Sequence, residues 1–327
     1  MLKALPRLTQ DPRENPLPRP QWQSREAGSC SGAKQSFKLT RTRLTRALDL
    51  TCGAGLLAAH AHRAPEARLT DRPSVHHAAA KGFSAAAEAY QESRPDYPAA
   101  LGDWLRDELG LAPRRVVVDL GAGTGKFTPL LSATGARLVA VEPIEAMRAE
   151  LLAAHPDVEA LAGDAEHLPL ADASVDAIVC AQSFHWFATP AALAEMRRAL
   201  KPGGVLGLVW NVRDERVAWV AALTKILDRH QGDAPRHESG RWRYDFPFPG
   251  FTPLSERRFA HEHVGAAARV IVERAMSVSF IAALPADEQA RVADEVRALI
   301  AATPSLAGRA TVAFPYVTHA HACRRVE

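Results

Sequence analysis

From residue 116 onward, short apolar runs rich in β-branched residues alternate with amphipathic stretches of helical period. Residues 116–118, 137–142, 158–161, 173–180 and 205–210 read as strands, and residues 126–132, 144–155, 190–200 and 217–230 as the helices that follow them. The strands lack polar alternation, as expected of parallel strands covered on both faces. Strand and helix taking turns predicts a parallel sheet between two helical layers. Residues 257–264 and 311–324 are the best late strands, separated by helices near 268–276 and 285–301. Upstream, residues 83–93 and 99–109 pattern as two helices broken by Arg94-Pro95-Asp96-Tyr97-Pro98, where Pro98 is suited to open the second. Residues 231–251 are irregular, with Trp242, Tyr244, Phe246 and Phe248 set among Pro and Gly. Such a stretch either shapes a substrate site or packs as a cover.

The chemistry concentrates where the first strand ends, at Asp119-Leu120-Gly121-Ala122-Gly123-Thr124-Gly125. Glycine at alternate positions lets the backbone turn sharply and come close to a ligand. A strand, a glycine loop and a helix N-terminus together make a nucleotide-type cradle. The spacing is neither that of the dinucleotide fingerprint nor that of a P-loop. The run Val116-Val117-Val118-Asp119-Leu120-Gly121-Ala122-Gly123-Thr124-Gly125 resembles the first motif of the Rossmann-like S-adenosylmethionine-dependent methyltransferases, and Phe184-His185-Trp186-Phe187 resembles a segment of their small-molecule group, which includes trans-aconitate methyltransferase-like proteins. The resemblance implies a three-layer α/β fold: a doubly wound seven-stranded sheet, mostly parallel with an antiparallel last strand. It also implies S-adenosyl-L-methionine as cofactor.

Further residues extend the resemblance. The second strand ends in Glu142-Pro143, with Glu142 17 residues beyond Gly125. An acid there suits a ribose, because a carboxylate only accepts and can take two O–H donors. Gly163-Asp164-Ala165-Glu166 resembles the motif whose Asp accepts from the adenine amino group while the next N–H donates to the ring; the alternative is a turn Asp bonding its own backbone. Residues 83–98 resemble the family's N-terminal lid, in which Tyr90 and Arg94 lie near the cofactor; alternatively, Tyr90 and Tyr97 only pack the helices. The cofactor-binding set implied is thus Tyr90, Arg94, Asp119, Gly121, Gly123, Gly125, Glu142, Pro143, Asp164, Ala165 and Gln182. The segment Gln182-Ser183-Phe184-His185-Trp186-Phe187 follows the fourth strand, beside the switch point of the sheet, and is expected to border the transferred methyl. The Lys201-Pro202-Gly203-Gly204 turn is structural in the family. Asn211 and Arg213, just past the fifth strand, are placed to reach the substrate mouth.

His185 is the one candidate general base, its ordinary pKa lying near neutrality; its alternative role is to wall the pocket. Trp186 either faces a cation with its ring or packs in the core. Methyl transfer from a sulfonium is mainly a matter of positioning, which explains a strong binding signature without an evident catalytic set. No Asn/Asp-Pro-Pro-aromatic motif is present, and no Pro-Cys pair suited to attack on cytosine, which sets aside several nucleic-acid and amide-nitrogen subclasses.

Composition adds little. The 327 residues are 47% hydrophobic and 24% charged with a net charge of +3, ordinary for a globular protein. About +7 of that charge falls in residues 1–75 and about −4 in the rest. A mildly acidic folded part disfavours nucleic acid as partner. Residues 1–77 are read as a basic, disordered extension and residues 78–325 as the domain; the acids Asp11, Glu14 and Glu26 argue against a transit peptide. Leu48-Asp49-Leu50-Thr51-Cys52-Gly53-Ala54-Gly55 imitates the glycine loop, but the arginines before it cannot form a buried strand. Cys30, Cys52, Cys180 and Cys323 show no ligand spacing, so no metal and a reducing, cytoplasmic setting are expected. No apolar run reaches the roughly 18 residues of a membrane span. The rival activities are a nicotinamide-dependent oxidoreductase, disfavoured by the glycine spacing and Asp164, and a protein or RNA methyltransferase recruited by the basic tail.

Overall fold

The computed structural model of the chain describes residues 93–327. Tyr90, the extension at 1–77 and the imitation glycine loop at 48–55 lie outside the described residues.

A seven-stranded sheet carries the fold. Its strands are β1 (Val116–Leu120), β2 (Arg137–Val141), β3 (Glu159–Leu161), β4 (Val175–Ala181), β5 (Leu200–Arg213), β6 (Ser255–Gly265) and β7 (Val312–Arg324), in the order β3-β2-β1-β4-β5-β7-β6. The first five pair in parallel, and β7 runs antiparallel between β5 and β6. The chain winds outward from β1 to β3, then returns to place β4 on the other side of β1. The switch point therefore lies between β1 and β4, as the sequence reading required.

The strands alternate which layer they serve. Val118, Leu120, Ile178, Cys180, Leu206, Leu208 and Trp210 pack on one face with Leu193 and Met196 of the helix α4 (Pro190–Ala199). Val117, Ala177, Val179, Val205 and Val209 pack on the other with Leu101 and Leu105 of α1 (Leu101–Asp107) and Leu131 of α2 (Thr128–Ser132). Both faces being dry is why these strands read as continuous apolar runs. The helix α3 (Glu145–Ala154) buries Met147 and Leu151 beside β2. Thr189 caps α4 by accepting from the Ala192 N–H at 3.1 Å, and Pro190 opens the first turn.

The long strands β5 and β7 overshoot the parallel sheet and carry a separate apolar cluster. There α5 (Ala218–Asp228), a π-helical stretch at Ala268–Glu273 running into α6 (Arg274–Met276), α7 (Ser279–Ala282) and α8 (Ala286–Ala302) close over Phe314 and Tyr316. The short α7 has too few residues to show a period and was not expected.

Residues 200–204 also differ from expectation. The α4 helix does stop at Ala199, but Lys201-Pro202-Gly203-Gly204 continues as the irregular start of β5, with a register shift between Val175 and Ala177. Buried Asp176 ties this corner together, accepting from the Val116 N–H at 2.8 Å, Lys201 Nζ at 2.9 Å and Arg115 at 2.9 Å. Burial pushes its carboxyl up, but these three donors outweigh that and its pKa is lowered.

Candidate active site

A cavity of about 1170 Å³, including its open mouth, lies at the C-terminal ends of β1, β2 and β4. Of the implied cofactor set, Arg94, Asp119, Gly121, Gly123, Glu142, Pro143, Asp164, Ala165 and Gln182 all line it. The topology explains the convergence: three parallel strands end side by side, so the loops after them meet at one mouth.

The three glycines serve different neighbours. All have positive φ, at 68°, 58° and 83° for Gly121, Gly123 and Gly125. A Cβ on Gly121 would lie 2.7 Å from the Ser183 Cβ, so this glycine lets the loop after β4 approach. A Cβ on Gly125 would lie 2.8 Å from His155 and 3.1 Å from Leu151, so Gly125 admits the end of α3. It does not line the cavity, although the resemblance groups it with the cofactor residues. Gly123 alone has open space, the nearest atom to its Cβ position being the Met147 sulfur at 3.8 Å.

Glu142 is buried and bridges two loops. Its Oε2 accepts from the Gly123 N–H and its Oε1 from the Ile144 N–H, both at 2.9 Å. Burial raises its pKa, and those two N–H donors restrain the rise. Each oxygen keeps a second lone pair for a hydroxyl donor. Asp119 is more perturbed. It is 1% exposed, Thr128 donates to its Oδ2 at 3.3 Å, and its Oδ1 has no partner. Burial, restrained by Thr128 and aided by the nearby charge of Glu142, pushes its pKa up to about 7. The Thr124 hydroxyl, also lining the cavity, is buried without a partner. Asp164 makes the turn weighed as its alternative role: Oδ1 accepts from the Glu166 and His167 N–H groups at 2.9 and 2.8 Å. Its other oxygen stays available to a ligand, so the turn and a ligand role are compatible.

The loop after β4 is held tightly. Ser183 donates to the Leu120 carbonyl at 2.7 Å, and Gln182, at φ 58°, donates through its side chain to the Asn211 carbonyl at 3.1 Å. Asn211 donates to the Asp96 carbonyl at 3.0 Å and accepts from Thr318 at 2.6 Å. It thereby fixes the Arg94–Pro98 segment, while Arg94 donates to the Ser277 carbonyl at 2.8 Å.

His185 lies off the large cavity. It lines a second one of about 700 Å³ that shares Arg94, Gln182, Trp186, Asn211 and Arg274 with the first. The Trp210 indole N–H donates to His185 Nδ1 at 3.1 Å. Burial, partly opposed by Glu238, pulls the His185 pKa down to about 3. The ring is therefore neutral, and because indole only donates, Nδ1 is the unprotonated nitrogen. The proton sits on Nε2, so the ring offers the cavity a donor. This geometry opposes a general base at His185 and favours its wall role. Cys180 is a buried free thiol whose pKa burial raises well above the ordinary value, so it is no nucleophile.

The second cavity brings in residues that carried no signal in the sequence. Arg236, His237 and Glu238 come from the irregular stretch, and Arg274 and Phe280 from the helical cluster after β6. No motif spacing links them.

The cavity fits a nucleoside-bearing cationic ligand. It offers an open glycine, two unpartnered buried acceptors in Asp119 and Thr124, and carboxylates at two strand ends. Together with the strand order, this defines the class: an S-adenosylmethionine-dependent methyltransferase of the Rossmann-like type. Comparison with known proteins agrees. Residues 118–208 match the family model described as a methyltransferase domain. The chain is 42% identical over 236 residues to an uncharacterized methyltransferase of Mycobacterium tuberculosis, covering 72% of this chain and 92% of that one. It is 38% identical over 245 residues to an uncharacterized methyltransferase-like protein of Schizosaccharomyces pombe, covering 73% and 94%. A solved structure from Anaeromyxobacter dehalogenans, described as a type II methyltransferase, is 28% identical with a TM-score of 0.52, covering 72% of this chain and 97% of that one. The chain belongs to the methyltransferase family.

Proposed function

We propose that the methyl acceptor is a small organic acid bound in the second cavity, with S-adenosyl-L-methionine in the first. The observation that carries this reading is Arg213. Its half-buried guanidinium has no carboxylate within ion-pair distance among the described residues, and Arg94, Arg236 and Arg274 line the same space. Burial and the charges of Arg236 and Arg274 lower the Arg213 pKa, opposed by Glu238 and Tyr316. A bound carboxylate relieves that repulsion.

When bound, the cofactor supplies an activated methyl group on a sulfonium. The chain's own residues supply position. Glu142 is placed to accept from ribose hydroxyls, Asp164 and Ala165 to meet the adenine edge, and Asp119 to balance the ammonium of the methionine part. Arg94, Pro143 and Gln182 complete the wall, and Gly121 and Gly123 shape the loop. Gly125 serves the loop through α3. An acid with two carboxylates satisfies the rest: the arginines hold one, and the other, already ionised at neutral pH, attacks without a base. That need for no base accords with His185 as a donor.

The test is a screen for S-adenosylhomocysteine release over mono- and dicarboxylates, phenols and quinones. We expect turnover with a dicarboxylate, and a loss of about 10- to 100-fold in kcat/KM for Arg213→Gln with cofactor affinity kept. Turnover confined to neutral phenols or quinones would refute the reading.

We further propose that residues 78–325 form the catalytic domain and residues 1–77 an extension. Alignment over 92–94% of two relatives' own lengths supports this. No helix among the described residues is long and apolar enough to cross a membrane. A reducing, cytoplasmic setting is supported by the buried free thiols Cys180 and Cys323. Fractionation of cells and a truncation starting at residue 78 check these two points.

A further inference from the structure

Beside the second cavity, on the sheet face that carries Trp210, three histidines gather. His319 and His321 are two apart on β7 and so share one face of that strand. His237 comes from the irregular stretch, 82 residues earlier, which is why no ligand spacing shows in the sequence. One ring nitrogen from each of the three lies within 4.8 Å of the others. Trp210 and Trp242 wall the group, with ring centroids 4.7 and 5.6 Å from His237. Neither ring nitrogen of His237 has a hydrogen-bond partner although both are buried, and the same holds for Nδ1 of His319. Three buried ring nitrogens without partners, of which one on His237 is an N–H and the other a lone pair, make a costly arrangement unless something is held there.

We propose that His237, His319 and His321 form a site for a divalent transition cation of the zinc class. Imidazole nitrogens of borderline softness select such an ion over magnesium or calcium. A tetrahedral ion at about 2.1 Å from each nitrogen needs nitrogens roughly 3.4 Å apart, within reach of small side-chain rotations from 4.8 Å. Glu256 contributes negative charge, its Oε1 lying 3.9 Å from His319 Nδ1. Arg258 engages the same oxygen at 2.6 Å. Arg243 is the opposing group: its guanidinium is 3.2 Å from His321 Nε2 and 3.4 Å from Glu256. With 45% of its side chain exposed, Arg243 is able to swing outward as the ion enters. The ion would pin the irregular stretch, and with it His237 and its neighbours on the wall of the second cavity, onto β7. This proposal is independent of which acceptor is used.

The test uses the full chain without a histidine tag. Zinc titration in competition with a chromophoric chelator is expected to give one ion per chain with a Kd at or below about 1 μM, and cobalt to give the visible bands of a tetrahedral site. The double variant His319→Gln/His321→Gln should lose binding by at least about 100-fold while S-adenosylhomocysteine affinity, read by calorimetry, stays within about twofold. Arg243→Ala should tighten binding, because it removes the opposing cation. Chelation should speed proteolysis within residues 231–251. Should the double variant fail to fold, the wild-type and Arg243→Ala titrations decide alone. Absence of stoichiometric binding in both, or binding unchanged in a folded double variant, overturns the site.

Discussion

Replacing Asp119 with Asn tests the cradle through its least comfortable atom. The carboxyl is fully buried at the end of β1, with one long bond from Thr128 and an oxygen that meets no donor. Its pKa stands at about 7 against an ordinary 3.8. Because the folded value is the higher one, the native state without ligand binds the proton more tightly than the unfolded chain. The stability this lends is complete below about pH 3.8 and drains away as pH rises to about 7. At roughly 1.4 kcal/mol per unit, the ligand-free protein carries a penalty on the order of 4 kcal/mol above neutrality. Asn has nearly the same shape and no charge. The stability difference between Asp119→Asn and wild type should therefore climb with pH from 4 to 7, by about 1.4 kcal/mol per unit, and then level. Urea unfolding of the ligand-free proteins at pH 5, 6, 7 and 8, with m-values unchanged, measures it. The same substitution should weaken S-adenosylmethionine binding at pH 8, where the anion balances the ligand's ammonium. Stability curves that run parallel at all four pH values would show that Asp119 is not held in this state, and the account of the cradle would fail with it.

The remaining expectations are simpler. Gly123→Arg should abolish cofactor binding by filling the open cradle while leaving the fold intact, and retained micromolar affinity would show the site misplaced. Gly125→Ala should behave oppositely: its Cβ meets His155 at 2.8 Å with φ at 83°, so stability should fall by about 1–3 kcal/mol and affinity should change little in the protein that stays folded. His185→Gln keeps a donor and should retain most turnover; a loss on the scale of a missing base, about 100-fold or more, would restore His185 to that role. His185 at about 3 and His263 at about 4, both lowered chiefly by burial, stabilise the native state above pH 6.5 and lose that contribution as pH falls toward those values. Unfolding measured with a chelator present should accordingly become easier from pH 6.5 to 5, unless these rings are charged in the native protein.

Much of this protein was decided locally and was therefore legible. Buried parallel strands need apolar β-branched runs, and tight loops at strand ends need glycine and acids. Residues 116–125, Glu142 and Asp164 carry both signals within a few positions of one another, so the large cavity could be read from the chain. Even there the sequence could not divide the labour among the glycines: alternate spacing looks the same whether the missing Cβ makes room for a ligand, for Ser183 or for His155. Other features depend on contacts between residues far apart in the chain. The Nδ1 of His185 accepts from Trp210, a partner on another strand that no local pattern reveals. The second cavity joins Arg94, Arg213, Arg236 and Arg274 across some 180 residues. The three histidines meet only because β7 inserts between β5 and β6 and the irregular stretch folds over it. Periodicity and turn chemistry act over a few residues, so a sequence can state them outright. Which side chains face one another across a sheet is settled by strand order and by how a long loop packs, and that is fixed only when the whole core closes.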